Sequence, residues 1–414
     1  MFNRKFLNIY AKIGAVTVFT PFLFFALNSI FSIEYSGLSE SNSYVYTLIG
    51  SWAIFLFFYF RNKLYKSVFL VSDVIFYFLI GFFFLVFLYD FNNEAILNKT
   101  TIYQYLLMIV PVALFAIDFG KFDFPDVVFR YFFYLCQVIL LSIVFVIPKM
   151  LKIDVVNLST FYGGGHYQGF GYIVSLSFLI NLVYLLFFLK SVSLYKKIYF
   201  FLSFIIHLSG AIFSGARGSM IVIFLGAIIL FYLKFNLKHF FYIILKTVLL
   251  LFLSFNLLLF FLADYYDRII ESADRIFSYI SDGTIDMSKT SNRDILYEES
   301  IKHIKNSPIF GYGFFDYLKQ TGFGYPHNLF LEILLQGGII YLVFWIFFLL
   351  LFIYKLILLI SNDKKYIVIF PFVIYCFTLL MFSGSYIFEP FFWFSIIFVF
   401  TASSKTKLII RNLN

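Results

Sequence analysis

Along most of this chain apolar positions do not alternate with polar ones but run on, interrupted at intervals by short clusters of Lys, Arg, Asn, Asp, Gly and Pro. About 20 such residues let a helix cross the ~30 Å hydrocarbon core of a bilayer. Hydrocarbon offers the backbone no hydrogen bonds, so a crossing segment must satisfy its own N–H and C=O groups, as a helix does. The runs predict an all-α, polytopic membrane protein with about twelve transmembrane helices. They lie near residues 11–31, 44–60, 67–88, 102–117, 127–148, 168–189, 198–213, 219–233, 239–262, 328–354, 366–382 and 386–402. The first run follows Arg4, Lys5 and Lys12 without a small-residue cleavage site and reads as an uncleaved span.

One stretch between the runs is long. It divides the chain into helices over 1–262, a large loop over 263–326, and further helices over 327–414. Within the loop, Ile269, Ile270, Ala273, Ile276, Phe277 and Ile280 fall on one stripe, which predicts an amphipathic helix over 264–280. A second helix is expected from Asn292 as N-cap to Asn306, before Pro308, with Leu296, Ile301 and Ile304 facing inward. The segment FGYGFFDYLKQTGFGYP then returns the chain to the membrane. A shorter segment, STFYGGGHYQGFGY at 159–172, reads either as a flexible turn or as backbone bared to approach a ligand. Its three consecutive glycines remove side chains and permit positive φ.

Of the 414 residues 62% are hydrophobic and 13% charged, a balance that excludes an ordinary soluble domain. Cys136 and Cys376 fall far apart inside apolar runs, against a disulfide framework or a cysteine metal site. The net charge of +9 does not point to nucleic acid once its placement is read. Clusters such as Arg61, Lys63 and Lys66, or Lys190, Lys196 and Lys197, or Lys405, Lys407 and Arg411, fall on the side that holds both termini. The short loops opposite hold only Lys99, Lys149, Lys152 and Arg217. Positive charge marks the cytoplasmic side, so both termini are expected in the cytoplasm and the long loop outside.

Charges placed where hydrocarbon makes them costly are the candidates for function. Arg217 sits in SGAIFSGARGS between two short spans, where Gly210, Ser214 and Gly218 recur at a spacing that lets helices approach closely. The expected result is a tightly packed hairpin with a recessed tip. A cation costs about 2.5 to 3.5 kcal/mol at the centre of a span, less towards the interface, and normally has a partner or a task; snorkelling to lipid phosphate is the simpler alternative. Arg293 opens the second loop helix, where free N–H groups, the helix dipole and a guanidinium together suit phosphate oxygens; a solvated arginine is the plain alternative. His327 stands between Pro326 and Asn328 at the mouth of the next span, with Pro326 expected in the first helical turn. Its side chain exchanges a proton near neutral pH, and an interfacial histidine bonded to lipid or backbone is its alternative. Tyr325 and Asn328 flank it as candidate substrate-binding residues, and among the other histidines only His166, in the glycine turn, competes. Asp73, Asp118, Lys246 and Glu389 lie in or at the ends of spans, as anchors or as parts of a lipid groove. No DxD-like pair on the loop demands a metal, so neither a metal site nor a cofactor is expected; Asp282 and Asp286, close in sequence, are the minor alternative for a metal.

Taken in order, SGARG between two spans, NRDILYEESIKHIKNSPIFGYGF in the long loop and PHNLFLEILLQGGI entering the next span resemble the O-antigen polymerase (Wzy) and O-antigen ligase superfamily, over about residues 209–340. The resemblance implies a glycosyltransferase that works by inverting, metal-independent transfer at the periplasmic face of the bacterial inner membrane. It implies a donor glycan linked through pyrophosphate to undecaprenol. The acceptor would be another lipid-linked repeat unit for a polymerase, or lipid A core for a ligase. Membrane lipid, a chain-length regulator and a flippase are further implied partners. Arg217, Arg293 and His327 correspond to the family's arginine between the short spans, its loop-helix arginine and its motif histidine, and would be the catalytic residues. Arg217, Arg293, Asn328, His166 and Tyr325 would bind substrate. Where family members often carry an arginine and a Pro-Asn pair, this chain has FYGGGHYQGFGY. Polymerisation of O-antigen or capsular repeat units is the expected function, ligation the alternative. A lipid-linked oligosaccharide flippase comes third, since it would line a central path with charge and break paired helices.

Overall fold

The computed structural model of the chain describes residues 4–31, 42–65, 105–122, 125–150, 167–189, 193–235, 293–314 and 325–411, with short stretches between 73 and 85 and between 242 and 285. Its helices are α1 (Arg4–Phe31), α2 (Asn42–Tyr65), α3 (Val110–Lys121), α4 (Pro125–Met150), α5 (Tyr167–Val183), α6 (Leu194–Phe213), α7 (Arg217–Lys234), α8 (Arg293–Asn306), α9 (Leu329–Asn362), α10 (Phe370–Phe382) and α11 (Pro390–Arg411). A two-residue ladder, β1 (Ile280–Ser281) with β2 (Thr284–Ile285), is the sole sheet among the described residues. The protein is an all-α polytopic membrane protein, and eight helices among the described residues are long and apolar enough to cross a bilayer. Two other expected spans are shorter: 102–117 is α3 preceded by a π-helical turn at Tyr105–Ile109, and the last is α11, whose apolar part is Pro390–Ser404. The spans expected over 67–88 and 239–262, and the amphipathic helix over 264–280, fall largely outside the described residues.

The chain packs as two compact units, one formed by 1–18, 48–128 and 285–414, the other by 19–47 and 129–284. In the first, α3 lies along α11: Phe119 meets Phe398 with ring centroids 4.7 Å apart, and Gly120 admits the Phe398 carbonyl so closely that a Cβ would stand 3.0 Å from it. The charges among these apolar helices are tied. Tyr10 donates to Asp118 Oδ2 at 2.7 Å, and Lys121 pairs with Asp73, so both carboxylates serve as anchors, as a buried charge requires.

In the second unit α5 is the element on which α6 and α7 pack, and the two hairpin helices touch it far more than each other. The sequence pattern anticipates close helix approach, but the small residues serve different neighbours. Gly210 faces Ile143 of α4, Gly218 lies under the Tyr172 hydroxyl, and Gly171 of α5 faces Ser214, Ala216 and Ser219 at the hairpin tip. His207 is fully buried between α5 and α6, with Nε2 2.8 Å from Ser177 Oγ and Nδ1 2.6 Å from the Ser203 carbonyl. Both thiols, Cys136 and Cys376, are buried and free.

Candidate functional site

Arg217 takes the first position of α7 and is half-buried. The turn before it is made by Gly215 at φ 61, and its backbone is satisfied locally: Ser214 N–H donates to Gly210 O, Gly215 N–H to Ile212 O, and Ala216 N–H to Ser214 Oγ. The tip is thus a built turn that holds the guanidinium at a helix start.

In the other unit the loop helix α8 begins at Arg293 and ends at Asn306, as the sequence pattern anticipates; the cap position at 292 lies outside the described residues. Its inward stripe differs. Leu296 and Ser300 are buried, whereas Ile301 is 45% exposed and Ile304 is half-buried. One residue turns a helix by ~100°, so a stripe through positions 296 and 300 carries Ile301 off the contact.

The SPIFGYG turn that follows docks into a break in α9. Gly337 (φ −139, ψ 16) and Gly338 (φ 62, ψ −159) interrupt that helix and free its carbonyls. Leu335 O accepts from Tyr312 N–H at 2.8 Å and Gln336 O from Gly313 N–H at 2.8 Å, while Ile339 N–H donates to Pro308 O at 2.9 Å. A β-carbon on Gly311 would stand 2.6 Å from Gly337 N, so Gly311 and the Gly337-Gly338 pair, distant in sequence, make one joint. Beside the joint opens a groove of about 410 Å³ lined by Phe310, Phe314, Ile340, Tyr341, Phe344 and Gln336, a lining suited to an apolar chain.

Pro326 is not in the helix. α9 starts at Leu329 with Asn328 as N-cap, its Oδ1 accepting from Phe330 N–H at 3.0 Å and Leu331 N–H at 3.2 Å. A side-chain cap competes well for the first turn because it satisfies donors that would otherwise be orphaned. Asn328 therefore has a structural duty, which leaves its amide NH₂ for a substrate contact. Asn328→Ala should lower stability by about 0.5 to 2 kcal/mol, and Asn328→Asp should hold it; thermal unfolding in detergent reads the difference.

His327 precedes the cap with φ 56, the positive-φ non-glycine residue among those described. That backbone is uncommon for a side-chain-bearing residue and, where it persists, clusters at functional sites. Its ring meets Tyr325 edge-on, centroids 4.6 Å apart. Burial, followed by the positive charge of Arg293, pulls its pKa down from the usual 6.5 to about 4. The same Arg293 charge acts on Tyr325, whose phenol is raised chiefly by burial, then by Glu332, while the Gly384 N–H donates to it. The structure thus brings Arg293, Tyr325 and His327 together and leaves the imidazole neutral at pH 7, the form that accepts a proton.

Beneath them is a carboxylate that the sequence pattern shows only as a polar position in an apolar span. Glu332 is 4% exposed. Its Oε1 accepts from Ser385 Oγ, which itself accepts from Ile387 N–H at 3.3 Å, and from Gln336 Nε2 at 3.3 Å. Gln336 Oε1 accepts from Tyr386, whose hydroxyl lies 3.2 Å from that of Tyr341. Every proton in this chain points toward Oε1. The signal available in the sequence was Glu332 and Gln336 at helical spacing, together with SGSYIFE before Pro390. Glu389 caps the start of α11, its Oε1 accepting from Phe391 N–H at 3.1 Å.

His166 lies outside the described residues, as do Asp282 and Asp286. Among the described residues no three His, Cys, Asp or Glu side chains gather as a metal-ligand set.

The described residues thus form a multi-pass helical protein with an arginine-led loop helix docked on a broken span and a neutral histidine at that span's mouth. Residues 198–346, which carry α6, α7, α8 and the kinked part of α9, match the family described as O-antigen ligase (Wzy_C), consistent with the O-antigen polymerase and ligase superfamily. The match supports a glycosyltransferase-like enzyme acting on lipid-linked glycans in a membrane. No curated protein and no solved structure matches the chain.

Proposed function

We propose that the protein polymerises oligosaccharide repeat units carried on undecaprenyl pyrophosphate, by metal-independent inverting glycosyl transfer at the periplasmic face of the inner membrane. The observation that carries this reading is His327, on a positive-φ backbone at the mouth of α9 and within the field of Arg293, inside the family-matched region. The acceptor hydroxyl attacks the anomeric carbon as the bond to pyrophosphate breaks. The electron pair leaves on the phosphate oxygen and the hydroxyl proton passes to His327. Negative charge grows on the leaving pyrophosphate, where a well-placed donor is worth about 2.7 to 4 kcal/mol. Arg293 supplies one such donor. Arg217 is assigned the second on its motif and its half-buried place at a helix start, and Tyr325, Asn328 and His166 are assigned to substrate. In this reading 263–326 is the outward loop between helices over 1–262 and 327–414.

Ligation to lipid A core is the second reading, favoured by the description of the matching family. Deleting the gene and resolving the surface polysaccharide on a gel separates the two. Core capped by a single repeat is the expected outcome. Naked core with accumulated lipid-linked polymer would instead make the protein a ligase, and loss of transfer by purified protein in chelator would overturn the metal-independent route.

A further inference from the structure

His327 Nδ1 and Glu332 Oε2 are both buried, and neither makes a hydrogen bond in this structure. With Asn328 as N-cap, His327 holds the position before the cap and Glu332 the fourth helical position. Those two side chains ordinarily meet across a helix start as an apolar staple. Here the staple positions carry a base and an acid. The two orphans are complementary, since an imidazole N–H donates and a carboxylate oxygen accepts, and a buried polar atom left unmade is costly.

We propose that Glu332 is the positioning carboxylate of His327: in the working enzyme His327 Nδ1–H donates to Glu332 Oε2, directly or through one buried water, and Nε2 receives the proton of the acceptor hydroxyl. This rests on the base role proposed for His327. The directed chain from Tyr341 through Tyr386 and Gln336, joined by Ser385, occupies Oε1 and fixes the carboxylate with Oε2 as its open oxygen. The Tyr386 backbone N–H also lies beside the carboxylate, yet Oε2 stays without a hydrogen bond. The proton transferred from the hydroxyl resides on Nε2. Glu332 takes none. Burial works against a lone charge there, so it is the imidazole N–H that holds Glu332 as the carboxylate, which then fixes the tautomer and orientation of the ring as a carboxylate does behind a catalytic histidine. The charged and titratable groups around the pair are Arg293 from α8, Tyr325 on the approach to α9, and Tyr386 and Glu389 from the turn before α11.

The test uses the full chain in detergent, with a synthetic polyprenyl-pyrophosphate-linked oligosaccharide as donor and acceptor, and wild type, Glu332→Gln, Glu332→Asp and His327→Ala. A carboxylate partner stabilises imidazolium and raises its pKa. Glu332→Gln should therefore move the acid limb of kcat/KM to lower pH. It should also lower kcat on the order of 10²-fold with little change in KM, while Glu332→Asp keeps the limb in place. Loss of activity in Glu332→Gln with an unmoved acid limb would make Glu332 a packing tie and overturn the inference, as would wild-type kinetics in that variant. Full activity in His327→Ala would instead remove the base reading itself.

Discussion

His327→Ala should reduce glycan chain formation by about 10² to 10⁴, the range expected when a general base is lost, while the protein still inserts and accumulates in the membrane. Arg293→Ala should cost about 10² to 10³ in rate. The two effects have different origins. In the proposed reaction the histidine takes a proton, and burial with the neighbouring guanidinium keeps it neutral beforehand. The arginine is proposed to meet charge that grows only as the bond to phosphate breaks, so its loss should appear in kcat more than in KM. Arg217→Ala belongs in the same experiment, because its role rests on its motif and helix-start position. Polysaccharide ladders on gels and initial rates with purified protein are the readouts. Normal ladders in all three variants would dismiss the site as drawn.

The largest structural effect is expected from a single methyl group. Gly338→Ala places a β-carbon 2.2 Å from the Ile309 carbonyl oxygen, at a backbone of φ 62 that side-chain-bearing residues rarely adopt. Strain of this kind costs about 1 to 3 kcal/mol before the clash is counted, and the clash is with backbone, which cannot swing aside. A loss of roughly 4 kcal/mol or more, the range reserved for a broken structural device, should appear as a lowered unfolding temperature or rapid proteolysis between α8 and α9. Gly311→Ala should do much the same, and the double variant should cost less than the sum because both break one joint. Wild-type stability in Gly338→Ala would mean that the loop is not docked there.

Much of this architecture is legible in the sequence because its causes are local. Unbroken apolar runs give the spans, and Pro308 shortly beyond Asn306 gives the end of α8. The arginine and the histidine stand out because charge is scarce in so apolar a chain. What is not legible has causes far away in sequence. Nothing near Glu332 announces that Ser385 and Tyr386 will close on it, since those partners arrive from the other side of α10. Asn328 and Pro326 both suit a helix start, and only the hydrogen bonds to Phe330 and Leu331 show which one caps it. The small residues of the hairpin announce close contact without naming the neighbours, which prove to be α5 and, nearest Gly210, α4. Ile301 fails for a simpler reason: with so few apolar residues in α8, a shift of one position moves the whole inward stripe.

The break in α9 also bears on how substrate must arrive. A loop helix hinged above a membrane can swing to fetch a ligand, but this one is moored by three backbone hydrogen bonds and two facing glycines. Any swing would part all three bonds together. If the proposed reaction holds, the arginine at the head of α8 is a fixed quay, and a lipid-borne glycan is the vessel that must come alongside.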